Sequence, residues 1–193
     1  SDFDNIIIEC DPRLLNFYKR SFPKYREKFV SLGTITNDDE EFKKIDYIIY
    51  AGSLGRYYRK NIKDFKNNSF LKVDEKKLEE MKRKLSIYKK KYKIGLSWKS
   101  FSDKFATDKS LNLKDLKKIF SLTNCDIFNL QYGVVEDEIN SFNNTTKNKL
   151  LSIEGLDLYN DFEGIASLLK SLDIFISVSN STAHLAGALG VKT

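Results

Sequence analysis

The sequence predicts an α/β protein: two β/α regions with parallel sheets, both incomplete, joined by a long charged helix. Three observations predict it. Short runs of β-branched and aromatic residues alternate with amphipathic segments in both halves of the 193-residue chain. That is the pattern of buried strands and the helices that cover them. A lysine-rich stretch without glycine or proline divides the halves, and a fresh strand-like run starts at Tyr92. The expected organisation is residues 1–73, a connecting helix over 74–91, and residues 92–193.

The elements follow in order. "NIIIEC" (5–10) is a short apolar run expected as a buried strand. In "DPRLLNFYKRSF", Asp11 caps a helix, Pro12 suits its first position, and Leu14, Leu15 and Tyr18 mark one face. "KFVSLG" is expected as a second strand, "DDEEFKKI" as a short polar helix or turn, and "DYIIYAG" (46–52) as a third buried strand. Asp74 opens the charged helix. Glu75, Glu79 and Glu80 lie near its start and lysines crowd its end, matching the helix dipole. Leu78, Met81, Leu85 and Tyr88 form one apolar stripe. Beyond it come a strand "YKIGLSW", a polar loop "KSFSDKFATDKS", an amphipathic helix "NLKDLKKIFSL" capped by Asn112, and a strand "DIFNLQYG". A helix "FEGIASLLKSL", a strand "DIFISVS" and a last helix "NSTAHLAGALG", stopped by Gly190, complete the series. "VKT" reads as the opening of another strand, and the first strand lacks a preceding glycine-rich turn. Both ends therefore suggest an excerpt of a larger protein.

Composition narrows the function classes. At 41% hydrophobic the chain can build a packed core, and no apolar run approaches the ~20 residues of a membrane-spanning helix. No charged-then-apolar leader opens the chain. Cys10 and Cys125 have neither metal nor redox spacing, so two buried thiols in a reducing, cytoplasmic compartment are expected. The formal net charge is +6, with much of the excess in "KKLEEMKRKLSIYKKKYK". That run has no interleaved aromatic ladder or glycine loop, so nucleic acid is not an expected partner. Attraction to anionic ligands or membrane surfaces follows from the charge without being specified by it.

The chemistry is expected where strands end and helices begin. In "ISVSNSTAHLAGALG", small polar residues separate a strand from a helix. The first turn of a helix carries unpaired N–H groups and partial positive charge, so it receives phosphate. Ser179, Ser181 and Thr182 add hydroxyls and Asn180 an amide. Ala183/Gly187 and Ala186/Gly190 form small-residue faces suited to close packing on the sheet. His184, one turn in, is able to bond a ligand or to lie in the helix–sheet contact, and the pattern favours the contact. In "GLSWKSFSDKFATDKS", Ser97, Lys99, Ser100, Lys104, Lys109 and Ser110 suit a diphosphate, and Trp98 stacks on a ring or packs as core. In "NLQYG", Gln131 is placed to read a base or sugar hydroxyl, and Tyr132 to stack. No acidic pair with metal-ligand spacing accompanies these loops, so neither a metal nor another cofactor is expected.

"IGLSWKS", "DKSLNL", "FNLQYG" and "SVSNSTAHLAGALG", in this order and spacing, resemble the nucleotide-binding half of bacterial GT-B glycosyltransferases. The resemblance is strongest to the domains fused behind tetratricopeptide (TPR) repeats, which are themselves similar to the heptosyltransferases (glycosyltransferase family 9-like). "IIIECDPRLLNFYKRSFP" and "YAGSLGRYYRKNIKDF" resemble the latter part of that family's acceptor-side domain. The resemblance implies two Rossmann-like domains and a metal-independent inverting transfer from a nucleotide-sugar donor. The acceptor would be an unknown glycan, lipid-linked molecule or protein, with TPR repeats possible upstream. It implies that the donor diphosphate sits at Ser179, Asn180, Ser181 and Thr182, with His184 nearby and Lys99 or Lys109 as counter-charge. Gln131, Tyr132 and Trp98 would line the donor pocket. The family commonly has Asp-Thr where this chain has Ser179-Asn180, and often Arg at Lys109. Its acidic base lies upstream of Ser1, so no catalytic base is assigned. The alternative is a catalytically degenerate binding or scaffold module of the same fold. A methyltransferase, suggested by the acidic strand end in "IIIECDPRLL", leaves the other motifs unexplained.

Overall fold

The computed structural model describes residues 5–40, 42–65, 68–101 and 106–193, without the side chains of 106 and 107. The chain is α/β with parallel sheets and divides into two compact units, Ser1–Asn68 and Ser69–Thr193.

In the first unit, β1 (Ile8–Cys10) pairs in parallel with β2 (Phe29–Ser31), and α1 (Pro12–Ser21) forms the crossover. Asp11 caps α1 as its sequence suggests, accepting the Arg13 N–H at 2.9 Å. The Arg13 side chain beside it holds the Asp11 carboxyl down to about 2. Phe17 is fully buried, and Phe29 of β2 stacks with Tyr18 and with Phe22. Cys10 is partly buried, and burial raises its thiol pKa. The third strand expected over 46–52 does not form. Residues 45–50 carry no regular structure, Tyr47 is 93% exposed, and α2 (Ala51–Tyr58) begins within the expected strand. β-propensity expresses fit to a pleated, half-buried surface, and without a paired neighbour the Ile-Tyr run has no such surface.

The charged helix, α3 (Glu75–Leu85), belongs to the second unit and is shorter than the connector suggested by residues 74–91. Asp74 caps it through the N–H groups of Lys76 and Lys77. Its stripe of Leu78, Met81 and Leu85 is buried, and it packs on α6 (Phe162–Lys170). Four parallel strands form the sheet: β3 (Tyr92–Ser97), β4 (Cys125–Asn129), β5 (Leu150–Leu151) and β6 (Ile174–Ser177), in the order β5-β4-β3-β6. Leu96, Trp98, Ile127, Leu113, Phe120 and Phe142 form the core on one face. Cys125 is buried within it.

The polar loop after β3 holds a short α4 (Ala106–Lys109). The amphipathic helix expected over 112–122 is instead two 3₁₀ turns, Leu113–Leu116 and Ile119–Ser121. Its apolar positions 113, 116 and 119 recur every three residues, the period of a 3₁₀ helix. Asn112 still caps it, reciprocally with Asp115. Between β4 and β5 lies α5 (Glu136–Thr145), and the unit closes with α7 (Ser181–Ala188). Gly190 adopts φ 69° at the end of α7, as a left-handed helix stop requires. The chain then returns to the sheet, where the Phe175 N–H donates to Lys192 O at 2.8 Å. No helix among the described residues is long and apolar enough to cross a membrane.

Candidate functional site

The strand order places the site. From β3 the chain steps to β4 and β5 on one side, then crosses to β6 on the other side of β3. Such a reversal opens a crevice at the carboxyl ends of the two diverging strands, where α/β proteins bind ligands. Here those ends are Ser97–Lys99 after β3 and Val178–Thr182 after β6.

A buried polar network forms the floor of this crevice. Gln131, 1% exposed, directs Oε1 at three donors: the Ser97 hydroxyl at 3.0 Å, the Trp98 N–H at 2.8 Å and the Lys99 N–H at 2.6 Å. Its Nε2 donates to Tyr132 O at 2.8 Å. On the other side, Asn180 Nδ2 donates to Ser97 Oγ at 2.8 Å and to Lys99 O at 3.2 Å. Asn180 Oδ1 accepts the Ala183 N–H at 3.0 Å and so caps α7. One chain of hydrogen bonds thus ties the ends of β4, β3 and β6 together. Gln131 was expected to read a base or sugar hydroxyl; here its amide oxygen is taken up by these three donors inside the protein.

At the mouth of α7, Ser179 and Ser181 are exposed, while Asn180 and Thr182 are buried. The first-turn N–H groups of Ser181 and Thr182 have no intrahelical acceptor. No acidic residue occupies that turn, whereas α3, α5 and α6 all open with acids. His184 is exposed and does not lie in the helix–sheet contact, which Ala186 and Leu185 make. Gly187 faces open space, so only the Ala186 side of α7 packs closely.

Lys99 and Trp98 meet a residue that pattern reading did not single out. Glu138, on α5, pairs with Lys99 Nζ at 2.6 Å through Oε2. The same oxygen accepts the Trp98 Nε1–H at 3.2 Å, and Oε1 accepts the Leu113 N–H at 3.1 Å. Trp98 is fully buried, so its expected stacking on a ligand ring is corrected to a core position. Burial alone would raise the Glu138 pKa, but the bonds from Lys99, Leu113 and Trp98 outweigh it and the net shift is downward. A lowered carboxylate stabilises the fold above its unfolded titration range and loses that contribution as pH falls through the folded value. Glu138→Gln is therefore expected to flatten the acid side of the melting-temperature profile, below about pH 4.5. Thermal melts across that range check it. The signal for Glu138 was its place in the acidic first turn of α5, one residue before buried Ile139.

Beside the crevice lies a cavity of about 360 Å³. Tyr132 and Tyr159 stand at its wall with ring centroids 6.3 Å apart. Ile153, Leu156 and Leu158 supply apolar surface, and Glu136, Ser152 and Asp157 supply polar atoms. Asn129, 6% exposed, lines it too. Its Oδ1 accepts the Gln131 N–H at 2.8 Å, and its amide nitrogen has no partner among the described residues. Of the expected pocket residues, Tyr132 and Gln131 both line this cavity, Gln131 with only 1% of its surface exposed. Lys109 is exposed at the end of α4. Ser110 bonds the backbone of Ser100, shaping the loop. Lys104 lies outside the described residues.

The chain is similar to protein FlbA of Caulobacter vibrioides (strain ATCC 19089 / CIP 103742 / CB 15), 30% identical over 194 residues. The match covers 95% of this chain and 32% of FlbA, so the chain spans about a third of the length of that relative. No family model matches the chain. No solved structure matches it.

Proposed function

We propose that the second unit is the donor-binding half of a GT-B glycosyltransferase, seating the diphosphate of a nucleotide-sugar at the mouth of α7. The observation that carries this reading is the acid-free, serine-lined opening of α7 at the sheet's switch point. Helix-start N–H groups of Ser181 and Thr182, with the hydroxyls of Ser179 and Ser181, stabilise the charge that grows on the departing diphosphate. The transfer is inverting and metal-independent, with an acceptor hydroxyl or similar nucleophile attacking the anomeric carbon. The aromatic-walled cavity beside the mouth suits the base, which Tyr132 and Tyr159 flank and the Asn129 amide can donate to. Lys99 has its backbone in the crevice floor, and Lys109 follows on the same loop. The two-domain arrangement, the acceptor and any TPR repeats in a longer protein belong to the same proposal.

The Ser179-Asn180 pair favours one alternative. Where the family carries a carboxylate and threonine, this chain has a serine and an asparagine locked into the floor. A module that binds a nucleotide or glycan without transferring sugar fits that substitution. Sugar release from labelled donors separates the two readings.

The binding test is calorimetric titration of nucleoside diphosphates into the protein. The wild type is expected to bind at least one. Ser181→Tyr, which fills the mouth from an exposed position, is expected to weaken it about ten-fold or more. Absence of binding by the wild type, or affinity untouched in Ser181→Tyr, overturns the proposal.

A further inference from the structure

Charge is unevenly spread over the second unit. All four strands are parallel, so every loop entering a strand lies on one edge and every loop leaving a strand lies on the other. The leaving edge mixes acids at helix starts (Glu75, Glu136, Asp137, Glu138 and Glu163) with Lys76, Lys77, Lys99 and Lys109. The entering edge gathers cations, with Asp173 before β6 as an exposed acid among them, accepting the Lys93 N–H. Arg83 and Lys84 stand at the end of α3, Lys89 and Lys91 in the loop before β3, Lys118 before β4, and Lys147 before β5. All six are exposed, and among the described residues none has a carboxylate partner.

The dipole preference for cations at helix ends accounts for Arg83 and Lys84 but not for the loop lysines. The loop before β3 is held rigid from within. Tyr88 packs edge-on against Phe128 at 5.0 Å, and Lys90 Nζ bonds Cys125 O at 3.1 Å and Asn148 Oδ1 at 2.6 Å. With Tyr88 and Lys90 turned inward, Ile87, Lys89 and Lys91 remain outward. Ile87 is 70% exposed, and Leu122 and Tyr92 on the same edge are 48% and 43% exposed. The edge therefore offers cations without carboxylate partners, Lys91 over the Tyr92 ring at 4.9 Å among them, spread over several loops with apolar tips between.

We infer that this edge docks on an anionic membrane surface, leaving the crevice at the opposite edge open to solvent. Distributed cations match a field of lipid phosphates, and exposed Ile87 and Leu122 are the kind of side chain that enters the headgroup boundary. Single-stranded nucleic acid is a poorer match, because among the described residues on this edge Tyr92 is the one exposed ring, and Lys91 lies over it. The inference stands independently of the transferase reading.

The test is co-sedimentation of the protein with phosphatidylcholine vesicles and with mixed phosphatidylcholine–phosphatidylglycerol vesicles. Binding is expected only to the anionic vesicles and is expected to fall at high salt. Lys89→Glu/Lys91→Glu should lower it about ten-fold or more, since each cation is worth about five-fold near such a surface. A charge-matched control, Lys24→Glu/Lys60→Glu, should keep most of it. Ile87→Ser should weaken binding without changing its salt dependence. Equal sedimentation with neutral and anionic vesicles overturns the inference. So does equal loss in the two double variants, or retention of labelled single-stranded RNA in place of vesicles.

Discussion

Gln131→Leu is expected to destabilise the second unit by about 3–5 kcal/mol, and the effect follows from where its oxygen points. That oxygen receives the Ser97 hydroxyl and two consecutive backbone N–H groups. Leucine has nearly the same volume, so packing changes little and the donors lose their acceptor. A hydroxyl can turn to another partner, but the Trp98 and Lys99 N–H groups cannot. Each buried orphan costs about 1–3 kcal/mol, and the loss of the Tyr132 contact adds to it. The network also sets the position of Asn180 through Ser97, so the mouth of α7 should loosen as well. Trp98 is the sole tryptophan and is fully buried in the same unit, so its fluorescence during urea denaturation reports the change. If Gln131 instead contacted ligand, stability would be unchanged and only affinity would fall. A destabilisation under about 1 kcal/mol would remove Gln131 from the floor of the site.

Trp98→Ala should be comparably damaging, at about 3–5 kcal/mol, because a fully buried indole leaves a cavity that the surrounding core cannot close. It also takes one of the three donors from Glu138, beside the Lys99 pair. Trp98→Phe separates these contributions. It keeps most of the packing and loses the N–H, so about 1–2 kcal/mol is expected. Circular dichroism melts of both variants check the order. Because Trp98 has no exposed surface, Trp98→Phe should leave nucleoside diphosphate affinity within about two-fold, whereas a stacking role would lower it much further.

Much of the scaffold was legible from local chemistry. Asp11 followed by Pro12, Asp74 before a charged stripe, Asn112 before Asp115 and Gly190 after the last helix each act within a few residues. A cap or stop needs no distant partner, and all four stand where the sequence suggests. The strand expected over 46–52 fails for the opposite reason: a strand exists only with a neighbour, and its sequence cannot supply one. The short β5 and the acidic-start α5 carry little sequence signal because their apolar content is small, two leucines in one and Ile139 with Phe142 in the other.

By itself, the sequence determined the alternation of strands and helices, their caps, and the placing of small polar residues between β6 and α7. Only the tertiary structure decided which of the candidate side chains are exposed and which are buried. Ser179, Ser181, His184 and Tyr132 are accessible, whereas Gln131, Asn180 and Trp98 are built into the floor and core. Local sequence sets backbone conformation over a few residues. The partner of a side-chain amide more than thirty residues away is set only when the strands come into register.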